Sequence, residues 1–139
     1  RAPRYLFVAG GIGITALLPM VRAAEGAVVG CPCAIPSGDS TGPLKDWADK
    51  YKASAKVDPA IYATEGYDAA TTFINAVKAG KVTGTDINDF LKTEDFTGIS
   101  KPIKFKDNGE PVTNSIFIYQ VVGGKIKLLG PSDTAKLQG

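Results

Sequence analysis

Residues 5–31 read YLFVAGGIGITALLPMVRAAEGAVVGC, and three quite different structures begin this way. Tyr5 to Ala9 form a short apolar run of the kind buried on both faces of a sheet. Gly10-Gly11-Ile12-Gly13 then permits tight turning and close backbone approach. Ile14, Leu17, Leu18 and Val21 recur at helical spacing, with Arg22 and Glu25 on the other side. Pro19 suits a helix that starts near Thr15 or Ala16, because its missing N–H then falls in the first turn. Gly26 ends that helix, and Ala27 to Cys31 reads as a second buried strand. Strand, glycine turn, helix, strand is the βαβ unit of a parallel sheet.

The same run could instead lie in a membrane or cradle a phosphate. Tyr5 to Val21 carries no charge, but it is short of the ~20 residues a spanning helix needs and holds three glycines and a proline. Ala23-Ala24-Glu25 is a poor cleavage site for a signal peptide. No membrane span is expected. A glycine turn opening a helix does aim backbone N–H groups at an anion. The spacing is GGIGIT rather than GxGxxG, however, and no acidic ribose partner follows at the expected distance. Interior scaffolding is the simplest role, since burying Ile14, Leu17, Leu18 and Val21 contributes roughly 6–12 kcal/mol before entropy is subtracted.

The remaining composition narrows the function. The 139 residues are 44% apolar and 22% charged with a net charge of +2, which fits one compact domain and carries no concentrated basic footprint. No nucleic-acid partner is expected. The absence of histidine removes His-dependent triads and His-ligated zinc. Cys31-Pro32-Cys33 supplies half of a four-ligand metal site with no second pair, so no metal is expected. Small packed residues, a local disulfide and a reactive thiol all remain open for these two cysteines. The only methionine is Met20, which suggests a processed chain or a fragment.

Downstream, Pro43 opens a helix with Leu44, Trp47, Ala48 and Tyr51 on one face and Lys45, Asp46, Asp49 and Lys50 outward. A longer helix from about Ile61 carries Ala63, Tyr67, Ala70, Phe73, Ile74 and Val77 on one stripe, expected to be its buried side, and stops at Gly80. Thr85 is positioned to cap a short third helix through Ile87, Phe90 and Leu91. Beyond Gly98 the pattern alternates: Ile103 and Phe105, a turn at Asp107-Asn108-Gly109, then SIFIYQVV, Gly123-Gly124 and KIKLL. The polar tail after Gly130 is expected to fray.

Two resemblances bear on function. Residues 4–24, RYLFVAGGIGITALLPMVRAA, resemble the first βα element of the NAD-binding domain in ferredoxin-reductase-like oxygenase reductases, whose usual motif is AGGIGITP; Ala16 stands in place of its proline. That likeness would put Gly10, Gly11, Gly13 and Thr15 beside an NAD(P) phosphate. Nothing downstream resembles such a reductase, whether its flavin barrel or its iron–sulfur cysteines. From Ala24 onward, AAEGAVVGCPC, STGPLKDWADKYKA, DPAIYATEGYDAATTFINAVKAG, FTGISKPIKFKDNGEP and IFIYQVVGGKI resemble, in order, the C-terminal part of periplasmic type I solute-binding proteins of the branched-chain amino-acid ABC transporters. In that family ligand binds in a cleft between two Rossmann-like lobes, and the first lobe has no counterpart in this sequence.

The resemblances together imply a non-enzymatic, solute-binding-protein-derived chain, recombined or engineered as a chimera, periplasmic or extracellular by descent. The alternative is an NAD(P)-binding oxidoreductase-derived domain. The expected fold is a single α/β domain over 1–139, a Rossmann-like or flavodoxin-like three-layer sandwich with about five parallel or mixed strands and a C-terminal antiparallel hairpin. Within it, 1–25 form the βα unit, 26–130 the binding-protein part and 131–139 the tail. Tyr62, Glu65 and Tyr67 are the candidate ligand contacts, an aromatic wall with one carboxylate for the ammonium of leucine, isoleucine or valine. Ser37, Asp39 and Ser40 border the same region in this reading. Ligand binding is expected to be weak or absent, no cofactor is required, and exposed strand edges favour a homodimer.

Overall fold

A computed structural model describes residues 23–37, 40–112 and 116–138; Gly10, Gly11, Gly13, Thr15 and Asp39 therefore lie outside the described residues. The elements in order are β1 (Val28–Cys31), α1 (Gly42–Ala55), α2 (Ala63–Lys78), α3 (Gly84–Thr93), β2 (Phe96–Thr97), β3 (Pro102–Ile103), β4 (Phe117–Val122) and β5 (Lys125–Pro131). This is the mixed α/β class expected from the sequence, consistent with a portion of a Rossmann-like fold. Contacts group the chain into two compact units. Among the described residues, one holds 23–31, 37 and 116–138, and the other holds 32–36 and 40–112.

The first unit is built on a three-stranded sheet of order β1-β4-β5. Both pairings are antiparallel, with Cys31 opposite Phe117 and Val122 opposite Lys125. The parallel pairing expected for Ala27–Cys31 involved Tyr5–Ala9, outside the described residues. The β4–β5 hairpin turns on Gly123 and Gly124, both at positive φ (60° and 70°), the geometry a tight two-residue turn requires. Their N–H groups donate to the Glu25 carboxylate at 2.9 and 3.2 Å. Tyr119 and Val121 fill the interior. Gln120, buried between them, holds the chain end: its Nε2 donates to Gln138 O and its Oε1 accepts from Gln138 N, both at 2.8 Å. The tail is thus tied down at Gln138 rather than frayed, because a buried amide side chain needs both partners. Cys31 and Cys33 are both buried and both disulfide-bonded, which removes the free-thiol reading.

The second unit carries the three helices. In α1 Trp47 is buried, Leu44, Ala48 and Tyr51 are half-buried beside it, and Lys45, Asp46, Asp49 and Lys50 face solvent, as the spacing predicts. α2 ends in two paired bonds, Gly80 N–H to Val77 O at 2.9 Å and Lys81 N–H to Ala76 O at 3.0 Å. Gly80 sits at φ 77°, the left-handed stop that closes orphan carbonyls. α3 is capped by Thr83, whose Oγ1 accepts from Asp86 N–H at 3.1 Å and donates to Asp86 Oδ2 at 2.7 Å. Thr85 was expected in this role. Thr83 takes it because Gly84 and Thr85 already belong to the first turn.

The burial of α2 differs from expectation. Its buried side is Thr64, Asp68, Thr72 and Ala76, four residues apart along one face. Tyr67, Phe73, Ile74 and Val77, from the apolar stripe, are between 48% and 56% exposed. Polar residues win the interior because they find partners there. Thr72 Oγ1 donates to Asp68 O at 2.8 Å. Asp68, fully buried, accepts from Ile99 N–H and Ser100 N–H at 2.8 Å each, and from the Ser100 hydroxyl.

Candidate functional site

Two side chains near the start of α2 organise the segment 32–36. The Glu65 carboxylate accepts from Ala34 N–H at 2.6 Å through Oε1. The buried Thr64 hydroxyl lies 2.8 Å from Ala34 O and 3.0 Å from Glu65 Oε2, and its single proton serves one of them. Ala34 thereby has its N–H met by α2 and its carbonyl within reach of the Thr64 hydroxyl. Lys101 Nζ donates to Pro32 O at 2.7 Å, fixing the same segment from the other side.

Lys101 is placed by Asp68. The turn joining β2 to β3 closes with Gly98 N–H donating to Lys101 O at 3.1 Å. Asp68 grips the intervening Ile99 and Ser100. A Cβ at Gly98 would stand 2.7 Å from Asp68 Cγ and 2.8 Å from Lys101 O, so the turn presses on the carboxylate as only glycine allows. The GxxS pattern of TGIS and the Asp of GYDA are therefore one structural device.

Among the candidate contacts, Tyr62 stands at the N-cap of α2 in the left-handed region, φ 66° and ψ 7°, and is 39% exposed. A bulky side chain there is strained by about 1–3 kcal/mol. Glu65 follows in the first turn. Tyr67 lies about 200° around the helix from Glu65, and its ring meets Trp47 edge-on with centroids 5.7 Å apart. The fold brings Tyr62 and Glu65 to one end of α2 and sends Tyr67 to the aromatic cluster of Trp47 and Tyr51. Ser37 and Ser40 flank the undescribed Asp39; Ser40 is buried.

On the opposite flank of α2 from Tyr67 is a cavity of about 300 Å³, lined by Glu65, Phe73, Leu91, Lys101, Ile103 and Phe105 among others. Spacing alone gave no hint of it, since its walls come from segments thirty residues apart. Among the described residues no cluster of His, Cys, Asp or Glu could hold a metal ion. No helix among them is long and apolar enough to cross a membrane.

The periplasmic binding protein family model matches residues 2–125, most of the chain. The chain belongs to that family. The match begins at residue 2, so it includes the 4–24 stretch that resembles a reductase element. Members of the periplasmic binding protein family are solute-binding proteins rather than enzymes. A comparison with curated protein sequences finds no match. Among solved structures, a leucine-binding protein from Thermotoga maritima is similar at 22% identity and TM-score 0.65, over 86% of this chain and 34% of that one. A solute-binding protein of an ABC transporter from R. palustris, in complex with benzoate, is similar at 21% and 0.64, over 84% and 32%. A substrate-binding protein from Desulfitobacterium hafniense, in complex with leucine, follows at 21% and 0.61, over 76% and 32%. These likenesses show the periplasmic-binding-protein fold, and the chain spans about a third of the length of each neighbour.

Proposed function

We propose that this chain derives from a periplasmic or extracellular solute-binding component of an ABC transporter for small amino acids, with Tyr62 and Glu65 on the ligand side and Tyr67 turned away toward Trp47. The family match over residues 2–125 carries the reading. The strained backbone of Tyr62 supports the placement, because a fold retains a costly aromatic conformation where the ring has a task. Glu65 offers the carboxylate for an ammonium group, and the Tyr62 ring offers a wall for an aliphatic side chain.

Affinity in a two-faced clamp comes from enclosing the ligand on both sides. The residues proposed here furnish one side, so leucine is expected to bind this chain with a Kd on the order of millimolar or weaker. Calorimetry with leucine, isoleucine and valine checks the strength, and a micromolar isotherm contradicts it. NMR titration with leucine checks the place: shifts should concentrate at Tyr62 and Glu65 and vanish in Glu65→Gln. NADH fluorescence that responds to the chain and is lost in Gly11→Val would favour the oxidoreductase-derived reading and the chimeric origin of residues 4–24. Association of two copies through strand edges belongs to the same proposal, and sedimentation at matching concentrations measures it.

A further inference from the structure

The cavity beside α2 lies wholly within one unit, and we infer that it is a separate site for a small carboxylate with an apolar, branched or aromatic body. Its walls are Phe73 of α2, Leu91 of α3, and Pro102, Ile103 and Phe105 at and beyond β3. A volume of about 300 Å³ equals the liquid volume of about ten waters, at the lower limit of ordinary ligand pockets. A lining this apolar holds water poorly and favours a hydrocarbon body.

The head group follows from the two charges on its wall. Glu65 Oε1 already accepts from Ala34 N–H, and Oε2 competes with Ala34 O for the single Thr64 hydroxyl proton. Among the described residues the Lys101 ammonium has one hydrogen-bond partner, Pro32 O, which leaves two protons to donate. Ser100 is committed to Asp68. Among the described residues neither Glu65 nor Lys101 has an ion-pair partner. Lys101 thus offers two protons to an incoming anion, while Glu65 Oε1 is committed to Ala34, and this favours an anionic head. Asp68 and Gly98 fix the turn that carries Lys101, and the ammonium itself is held by Pro32 O.

The site differs from the amino-acid contacts proposed above in needing no ammonium on the ligand and neither tyrosine. The probes are 4-methylpentanoate, 3-methylbutylamine and leucine, titrated into the full 139-residue chain while the methyl signals of Leu91 and Ile103 are followed by NMR. The acid should saturate, and the amine should bind at least about tenfold more weakly. Lys101→Met should weaken the acid by about tenfold or more, and Ala69→Phe, which fills the mouth, should abolish binding. Tyr62→Ala should leave acid binding intact while removing any leucine response at α2, so the two readings fail separately. Preference for the amine overturns the inference. So does acid binding that survives both Lys101→Met and Ala69→Phe, or no acid binding to a chain whose melting shows it folded.

Discussion

At Gly98 a single hydrogen atom in place of a side chain lets a turn close over a buried carboxylate. Gly98→Ala must push the backbone of Lys101 or the Asp68 carboxylate aside, at a cost of about 1–3 kcal/mol. Gly66 makes a useful contrast: a Cβ there meets nothing within 4 Å, and its φ is ordinary. Gly66→Ala inside α2 should stabilise by about 0.5–1 kcal/mol. Urea denaturation of the two variants should therefore give shifts of opposite sign. At Tyr62 the strain of the left-handed backbone is released by glycine while unfolded-chain freedom rises. Tyr62→Gly should thus keep or raise stability by up to about 1 kcal/mol while losing whatever the ring binds.

For single elements, what was legible depended on the range of the deciding interaction. The amphipathic face of α1, the Gly80 stop of α2 and the Gly123-Gly124 hairpin are all written within a few consecutive residues, and the sequence reading recovers them. The buried face of α2 is not, because Thr64 and Asp68 are interior only by virtue of Ala34, Ile99 and Ser100, about thirty residues distant. Hydropathy alone points the helix the other way. The same distance explains the candidate site: Tyr62, Glu65 and Tyr67 are close in sequence, yet Trp47 draws Tyr67 to its own side. Two measurements test this account. Thr83→Ala removes the α3 cap and should cost about 1 kcal/mol. Ile74→Lys, on the exposed apolar stripe, should stay within about 0.5 kcal/mol of the parent, whereas a buried Ile74 would cost several times more.

At the scale of the molecule, the ion pairs among the described residues add little to stability. The pairs Lys45–Asp49, Lys52–Asp58, Lys104–Asp95 and Lys106–Glu110 all have side chains at least half exposed. Exposed pairs of this kind are screened by salt and add little. The urea midpoint should accordingly move little between about 0.1 and 1 M NaCl. Lys45 and Lys52 hold raised pKa values, first through their hydrogen bonds to Asp49 and Asp58 and then through the attraction of those carboxylates. A raised folded pKa favours the fold below the unfolded lysine value of 10.5 and loses that contribution as pH rises through the folded value. Any change from these two groups belongs in the alkaline limb of a pH–stability curve, with none of it near neutrality.

Glu65 and Asp68, one helical turn apart, make α2 the splint to which two distant stretches of chain are bound. A one-residue insertion between them would rotate one carboxylate by about 100° and detach either Ala34 or the 98–101 turn. Duplicated or deleted residues are better accommodated between α2 and α3, around Lys81 and Val82, where neither attachment is disturbed. Anyone grafting new solute preferences onto this framework can therefore vary Tyr62 freely, provided that the four-residue span from Glu65 to Asp68 keeps its length.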